Sequence, residues 1–183
     1  MRKLAEVVLK EIESVLNGVR EEQVEEAVTL ISNATRIFVF GEGRSGFMAK
    51  SFAMRLMHLG ASAYVIGETT TPSIGEKDLV ILVSGSGKTK SVVWTAEKAM
   101  EAGCTVLATT TDSSSPLAQN AFSLIEVPAA TKYRKEGEKK SIQPLGSLFD
   151  QSVHLLFDIL CIRYAEKKER THEQTFQLHS NVE

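Results

Sequence analysis

The stretch IFVFGEGRSG, Ile37 to Gly46, decides the fold. Four apolar residues of strand-forming type run into a glycine-rich turn, and a helical pattern follows from about Ser45 to Leu59. A strand, a tight turn and a helix in that order make the first half of a βαβ unit. The same rhythm recurs downstream. Short apolar runs lie at Ala63 to Ile66, Leu79 to Val83, Thr105 to Ala108 and Leu124 to Val127, with helical stretches at about Thr89 to Ala102 and Leu117 to Ala121. Apolar runs interleaved with helices imply strands covered on both faces. The fold class is therefore α/β: a three-layer αβα sandwich on a five-stranded parallel sheet, spanning residues 35–127.

The flanks are helical. Residues 1–34 read as a helical pair: Leu4, Val7, Val8, Ile12, Val15 and Leu16 recur at helical spacing, Asn17-Gly18 supplies a stop, and a second amphipathic run goes from about Glu21 to Ile31. With 4 basic and 7 acidic residues in the first 35, this pair is no DNA-reading arm and needs a hydrophobic partner. Residues 128–143 contain the polar, aperiodic TKYRKEGEKKSIQ and read as a mobile loop. Residues 144–183 begin with a long helix from Leu145 to about Lys168 and end in a short helical tail that closes on HSNVE.

At 183 residues, with 43% hydrophobic and 24% charged, the chain is one globular domain, 1–183. Lys and Arg total 21 against 23 Asp and Glu, which gives no electrostatic reason to bind nucleic acid or an anionic membrane. Cys104 and Cys161 lack a CxxC spacing and sit in apolar runs, as reduced core cysteines do. Glu6, Glu11 and Glu13 interrupt any signal-like apolar stretch and no segment is apolar enough to span a bilayer, so a cytoplasmic protein is expected.

In open α/β sheets ligands gather at the carboxyl ends of strands, where helix N-termini offer N–H groups and positive partial charge. Two such ends are unusual here. The first, Gly41-Glu42-Gly43-Arg44-Ser45-Gly46, satisfies GxGxxG, with Glu68 22 residues past Gly46, where a ribose-binding acid is expected. The motif marks either a dinucleotide site or a tight strand-to-helix turn. The second, Ser84-Gly85-Ser86-Gly87-Lys88-Thr89, contains Gly-Lys-Thr, but the triphosphate-binding pattern GxxxxGK[ST] requires glycine where Leu82 stands. Its three hydroxyls, Ser84, Ser86 and Thr89, are spaced by glycines that let backbone amides approach a ligand. Such a loop is a cradle for one phosphate group or a helix cap, and three hydroxyls exceed what a cap needs. Ser45 adds a donor from the neighbouring loop, and Arg44 is either a ligand to the substrate or an exposed first-turn residue.

The segments GEGRSGFMAKSFAMRLMHLG, Ile66-Gly67-Glu68, SGSGKTKSV, SIQPLGSLFDQ and HSNVE resemble, in unbroken order from about Thr35 to Glu183, the sugar-isomerase (SIS) domain of 6-phospho-3-hexuloisomerases. The resemblance implies interconversion of 3-hexulose 6-phosphate and fructose 6-phosphate, a step of the ribulose monophosphate pathway of formaldehyde fixation. It implies no metal, no nucleotide cofactor and a homo-oligomer, usually a tetramer. It assigns the substrate phosphate to Ser45, Ser84, Ser86 and Thr89, with Gly85 of the same loop counted among the substrate-binding residues. The expected partner is thus a phosphorylated ketohexose.

Moving a carbonyl along a sugar requires a base that takes a proton from one carbon and returns it to the next through an enediol. The resemblance assigns this role to Asp150, where the family carries a glutamate; the shorter acid withdraws the carboxylate by roughly 1 Å. Lys88 likewise stands where the family's loop carries Glu, either strengthening phosphate binding or solvated on the helix's first turn. His179, in the terminal segment, is the family's histidine that enters the site of a neighbouring subunit; the other reading is an exposed tail histidine. Glu68 either touches substrate or caps the loop Thr69 to Ser73. Asp150, His154 and Asp158 fall at i, i+4 and i+8 on one helical stripe, and together with His172 invite a metal reading. The stripe is about 12 Å long, too long for one ion, and no metal is expected. The helix Phe47 to Leu59 is apolar nearly all round, which predicts burial on several sides and, with the N-terminal pair, an oligomer. Two other readings share these residues: a non-catalytic sugar-phosphate sensor and a dinucleotide-dependent oxidoreductase.

Overall fold

The computed structural model describes residues 1–134, 138 and 140–182. Two N-terminal helices, α1 (Arg2–Leu16) and α2 (Glu21–Asn33), precede β1 (Arg36–Gly41), α3 (Gly43–His58), β2 (Ala63–Val65), β3 (Asp78–Val83), α4 (Lys90–Glu101), β4 (Thr105–Thr110), α5 (Pro116–Gln119), β5 (Ser123–Glu126), α6 (Ser147–Lys167) and α7 (His172–Gln177). The five strands are all parallel, in the order β2-β1-β3-β4-β5. Residues 135–137 and 139 of the loop expected to be mobile lie outside the described residues.

Period-2 alternation divides the core. Ile37, Val39, Leu79, Ile81, Val83, Leu107 and Ile125 face one side, where α1, α2, α3 and α6 cover them. Phe38, Val80, Leu82, Val106 and Ala108 face the other, under α4 and Leu117 of α5. All six residues of β3 are buried, as a central parallel strand requires. At the amino ends of the strands Arg36 donates to Asp78, Nε to Oδ1 at 2.9 Å and Nη2 to Oδ2 at 2.5 Å, and pins the β1–β3 register.

The N-terminal pair finds its hydrophobic partner within the chain: Ile12, Val15, Val24, Val28 and Ile31 are buried in the same core as α6. The helix after Gly46 departs from expectation, because in one chain it is covered on one side only. Ala49, Phe52, Ala53 and Leu56 are buried, whereas Phe47 is 67% and Met54 49% exposed. Leu155, Ile159 and Ile162, spaced i, i+4, i+7 on α6, are open too. The long helix starts at Ser147 rather than Leu145, because Leu145 adopts φ +53°, outside helical space. Cys104 and Cys161 are buried and free, and burial pushes the Cys161 thiol up to about 12. Among the described residues no helix is long and apolar enough to cross a membrane.

Candidate active site

Strands β1 and β3 are adjacent, yet α3 leaves β1 toward one face of the sheet and α4 leaves β3 toward the other. A crevice opens between them at the carboxyl ends, the position where doubly wound sheets bind ligands. It holds a cavity of about 350 Å³, within the usual range for small-molecule sites. Its walls carry Arg44 and Ser45 from the first loop, Ser84, Gly85, Ser86 and Thr89 from the second, and Phe149 and Asp150 from α6.

The GxGxxG motif serves helix–strand packing here. A Cβ on Gly46 would lie 2.5 Å from the Gly41 carbonyl oxygen, and one on Gly41 would lie 2.9 Å from that of Val83. Both glycines let the first turn of α3 sit directly on the end of β1. Gly43, the middle glycine, has φ +58° with open space around it. Glu42 accepts a hydrogen bond from Ser91 Oγ at 2.8 Å, which ties this loop to α4.

The second loop is held from behind. Gly85 carbonyl oxygen accepts from Thr111 N at 3.1 Å and from Thr111 Oγ1 at 2.8 Å, so the end of β4 fixes the loop's backbone. Gly87 sits at φ +61° against Ser115, whose Oγ would lie 2.1 Å from an added Cβ. Ser84 and Thr89 hydroxyls are 3.0 Å apart, and Ser86 Oγ accepts from Lys88 N at 3.3 Å. Lys90, Ser91 and Val92 occupy the first turn of α4, ahead of its Val93 N to Thr89 O bond, so the helix's positive end faces the hydroxyls. The arrangement suits a phosphate dianion. Lys88 is exposed and does not line the cavity.

Asp150 lies opposite the loop. It is 6% exposed, accepts a hydrogen bond from Ser45 Oγ at 2.7 Å, and has Arg44 Nε 3.8 Å from Oδ2. Arg44 also donates to Ser147 Oγ at 3.1 Å. Burial pushes the Asp150 carboxyl above the ordinary carboxylate range, against the Ser45 hydrogen bond and the Arg44 charge, which pull the other way. A raised carboxylate in a crevice beside an anion cradle is suited to taking up and returning a proton.

The structure thus brings together Arg44, Ser45, Ser84, Gly85, Ser86, Thr89 and Asp150. Two expected residues stand elsewhere. Glu68 pairs with Lys50 Nζ at 2.6 Å and lines an adjoining depression between β1 and β2. His179 stacks on His58 of its own chain with ring centroids 5.0 Å apart. That contact is at the C-terminal end of α3, about 20 Å along the helix from Ser45. His154 contacts Ser51 Oγ at 3.4 Å and lies 3.8 Å from Asp158, both residues half-exposed, while Asp150 is turned into the cavity. Thr131, Lys132 and Tyr133 also line the cavity and were invisible in sequence, since nothing in an aperiodic polar stretch marks which residues fold over a site. Its basic residues from Lys132 onward, a short way past the last strand at the ligand-binding edge, were the available signal.

Comparison with known proteins identifies the family. The SIS domain family model matches residues 30–155. The 3-hexulose-6-phosphate isomerase of Bacillus subtilis is 41% identical over 96% of this chain and 95% of its own length. That of Mycobacterium gastri is 38% identical over 97% of this chain and 88% of its own. A crystal structure from Methanococcus jannaschii, from which a 3-hexulose-6-phosphate isomerase function was inferred, superposes with a TM-score of 0.85 at 31% identity over the whole of both chains. The chain belongs to the 3-hexulose-6-phosphate isomerase family of SIS-domain proteins.

Proposed function

We propose that the protein interconverts 3-hexulose 6-phosphate and fructose 6-phosphate, with the phosphate held by the Ser84–Thr89 loop and Asp150 as the base. The observation that carries this is one buried carboxylate facing a hydroxyl-lined helix N-terminus across a single cavity. The phosphate is anchored first, and the sugar carbons then extend toward α6. Asp150 removes the proton from C3 of fructose 6-phosphate, the C3–H electrons form the C2–C3 double bond, and O2 takes a proton. The resulting enediol loses the O3 proton and receives the stored proton at C2, which leaves the carbonyl at C3. Ser45 holds the carboxylate toward the substrate, and Arg44 offsets its charge.

His179 serves the hydroxyl proton transfer from a neighbouring copy, because its own chain keeps it at the far end of α3. The open apolar faces of α3 and α6, with Phe47, Met54, Leu155, Ile159 and Ile162, support an assembly of copies, a homotetramer in our reading. The setting is the cytoplasm, in formaldehyde fixation by the ribulose monophosphate route.

The test is direct. ¹³C-labelled fructose 6-phosphate incubated with the protein should develop the signals of a second ketohexose phosphate with its carbonyl at C3. Binding measured by calorimetry with no second sugar formed would make the protein a sensor and overturn the isomerase reading. In mixtures of Asp150→Asn and His179→Ala proteins, activity should return on subunit exchange; its absence after verified exchange would place both residues in one chain.

A further inference from the structure

The helix that carries Asp150 begins without a side-chain cap. Gly146 occupies its N-cap with no side-chain hydrogen bond, and Leu145 before it is left-handed. Besides Arg44 on Ser147 and Ser45 on Asp150, the segment leading into it is held from α1, 130 residues away and outside the segment matched by the SIS family model. Glu11 accepts three hydrogen bonds from three successive residues: Ser141 Oγ at 2.8 Å and Gln143 Nε2 at 3.0 Å on Oε2, and Ile142 N at 2.9 Å on Oε1. Partial burial alone would raise the Glu11 carboxyl. The bonds from Ile142, Gln143 and Ser141, with the Arg134 charge, hold it below the usual range instead, so it stays ionised and accepting.

The gripped segment joins the two walls of the cavity, Thr131 to Tyr133 on one side and Gly146 to Asp150 on the other. Gln143 is 5% exposed, and its carbonyl also accepts from Arg134 Nη2. Three residues separate it from Ser147, and Ser147 N then bonds Pro144 O at 3.1 Å and Asp150 N bonds Gly146 O at 3.0 Å. A displacement at residue 143 therefore passes through one tight turn to Asp150.

We propose that Glu11 is a positioning residue for the reaction at Asp150, setting how deeply the first turn of α6 carries that carboxylate into the cavity. The inference rests on Asp150 being the base. The phosphate loop hangs on β3 and β4 instead, so loosening the clamp shifts the base relative to a phosphate that stays fixed.

Glu11→Ala should lower kcat for fructose 6-phosphate about 10- to 100-fold, the scale of a misplacement near 1 Å, with KM and calorimetric affinity within about threefold of wild type. Glu11→Gln, which keeps an acceptor for Ile142 N but loses the charged oxygen shared by Ser141 and Gln143, should give a kcat between those of Glu11→Ala and wild type. Ser141→Ala, which removes one donor only, provides a milder variant should Glu11→Ala fold poorly. Hydrogen–deuterium exchange, which needs no turnover, should speed up at least tenfold at the amides of residues 150–153 in Glu11→Ala while those of β3 stay protected. Unchanged kcat, a loss of affinity matching the loss of kcat, or unchanged exchange at 150–153 would each overturn the proposal. A wild type without isomerase activity would refute the functional reading, and the exchange pattern would then decide alone whether Glu11 holds the start of α6.

Discussion

Gly46→Ala separates two explanations of the GxGxxG loop. The added Cβ would stand 2.5 Å from the Gly41 carbonyl oxygen and 3.1 Å from its carbon, where ordinary contact begins at 3.4 Å. Gly41 has little room to yield, because at the carboxyl end of β1 it is paired in register with Val83 of the central strand β3. The first turn of α3 must lift by roughly 1 Å, an overpacking cost of about 1–3 kcal/mol. Alanine's better helix propensity returns about 1 kcal/mol at most. At about 2–4 °C per kcal/mol for a domain of this size, Tm should fall by several degrees. Ser45 rides on that turn, so its 2.7 Å bond to Asp150 should stretch, and kcat should drop by up to about 100-fold. Gly43→Asn is the counterpart: φ +58° suits asparagine and the space is open, so Tm should stay within about 2 °C of wild type. Calorimetry and initial rates measure both. Were Gly43→Asn destabilising and Gly46→Ala silent, the close-packing account would be wrong, and the middle glycine would matter as it does beneath a dinucleotide.

Ser86→Ala should weaken fructose 6-phosphate binding about tenfold or more by titration calorimetry, since a charge-assisted hydrogen bond is worth about 1.5–3 kcal/mol; unchanged affinity would reject the cradle. Because burial raises the Asp150 carboxyl, the folded state holds its proton more tightly than the unfolded chain, and stability falls as pH rises through the interval from the ordinary value to the raised one. At neutral pH the ionised carboxylate is then a standing cost, and Asp150→Asn should raise Tm while abolishing turnover; a lower Tm would contradict this. An ionised base is required, so the acidic limb of the kcat profile should lie above the ordinary carboxylate range. Ser45→Ala, which removes a bond favouring the charged form, should move that limb to still higher pH, whereas an unmoved limb would deny that Asp150 controls it.

The layers of the fold were legible because parallel strands buried on both faces leave continuous apolar runs, as at Leu79 to Val83, and because glycines mark where each run turns. The hydroxyl loop was legible for a local reason, three hydroxyls and two glycines within six residues. What escaped depends on distant contacts. Nothing near Leu145 announces a left-handed residue there, so the start of α6 was misplaced by two positions. Glu68 has the spacing of a ribose-binding acid, yet its partner is Lys50, brought beside it by the β1–β2 crossover. Glu11 looks like any solvated residue of an amphipathic helix until residues 141–143 fold over it. The helix after Gly46 read as buried on several sides and as a sign of an oligomer, but which of its residues stay open in one chain was not legible, because helical periodicity reports apolarity and not what covers it.

Proton abstraction by Asp150 is most directly measured by deuterium wash-in. Fructose 6-phosphate incubated in D₂O with the wild-type protein should lose its C3 proton signal by NMR as solvent deuterium returns through the enediol. Asp150→Asn should slow that loss at least about 100-fold while its calorimetric affinity for the sugar phosphate stays near wild type, since general-base catalysis contributes factors of about 10²–10⁴. Equal wash-in by both proteins, or none by a wild type that binds the sugar phosphate normally, would contradict the assignment of Asp150 as the base.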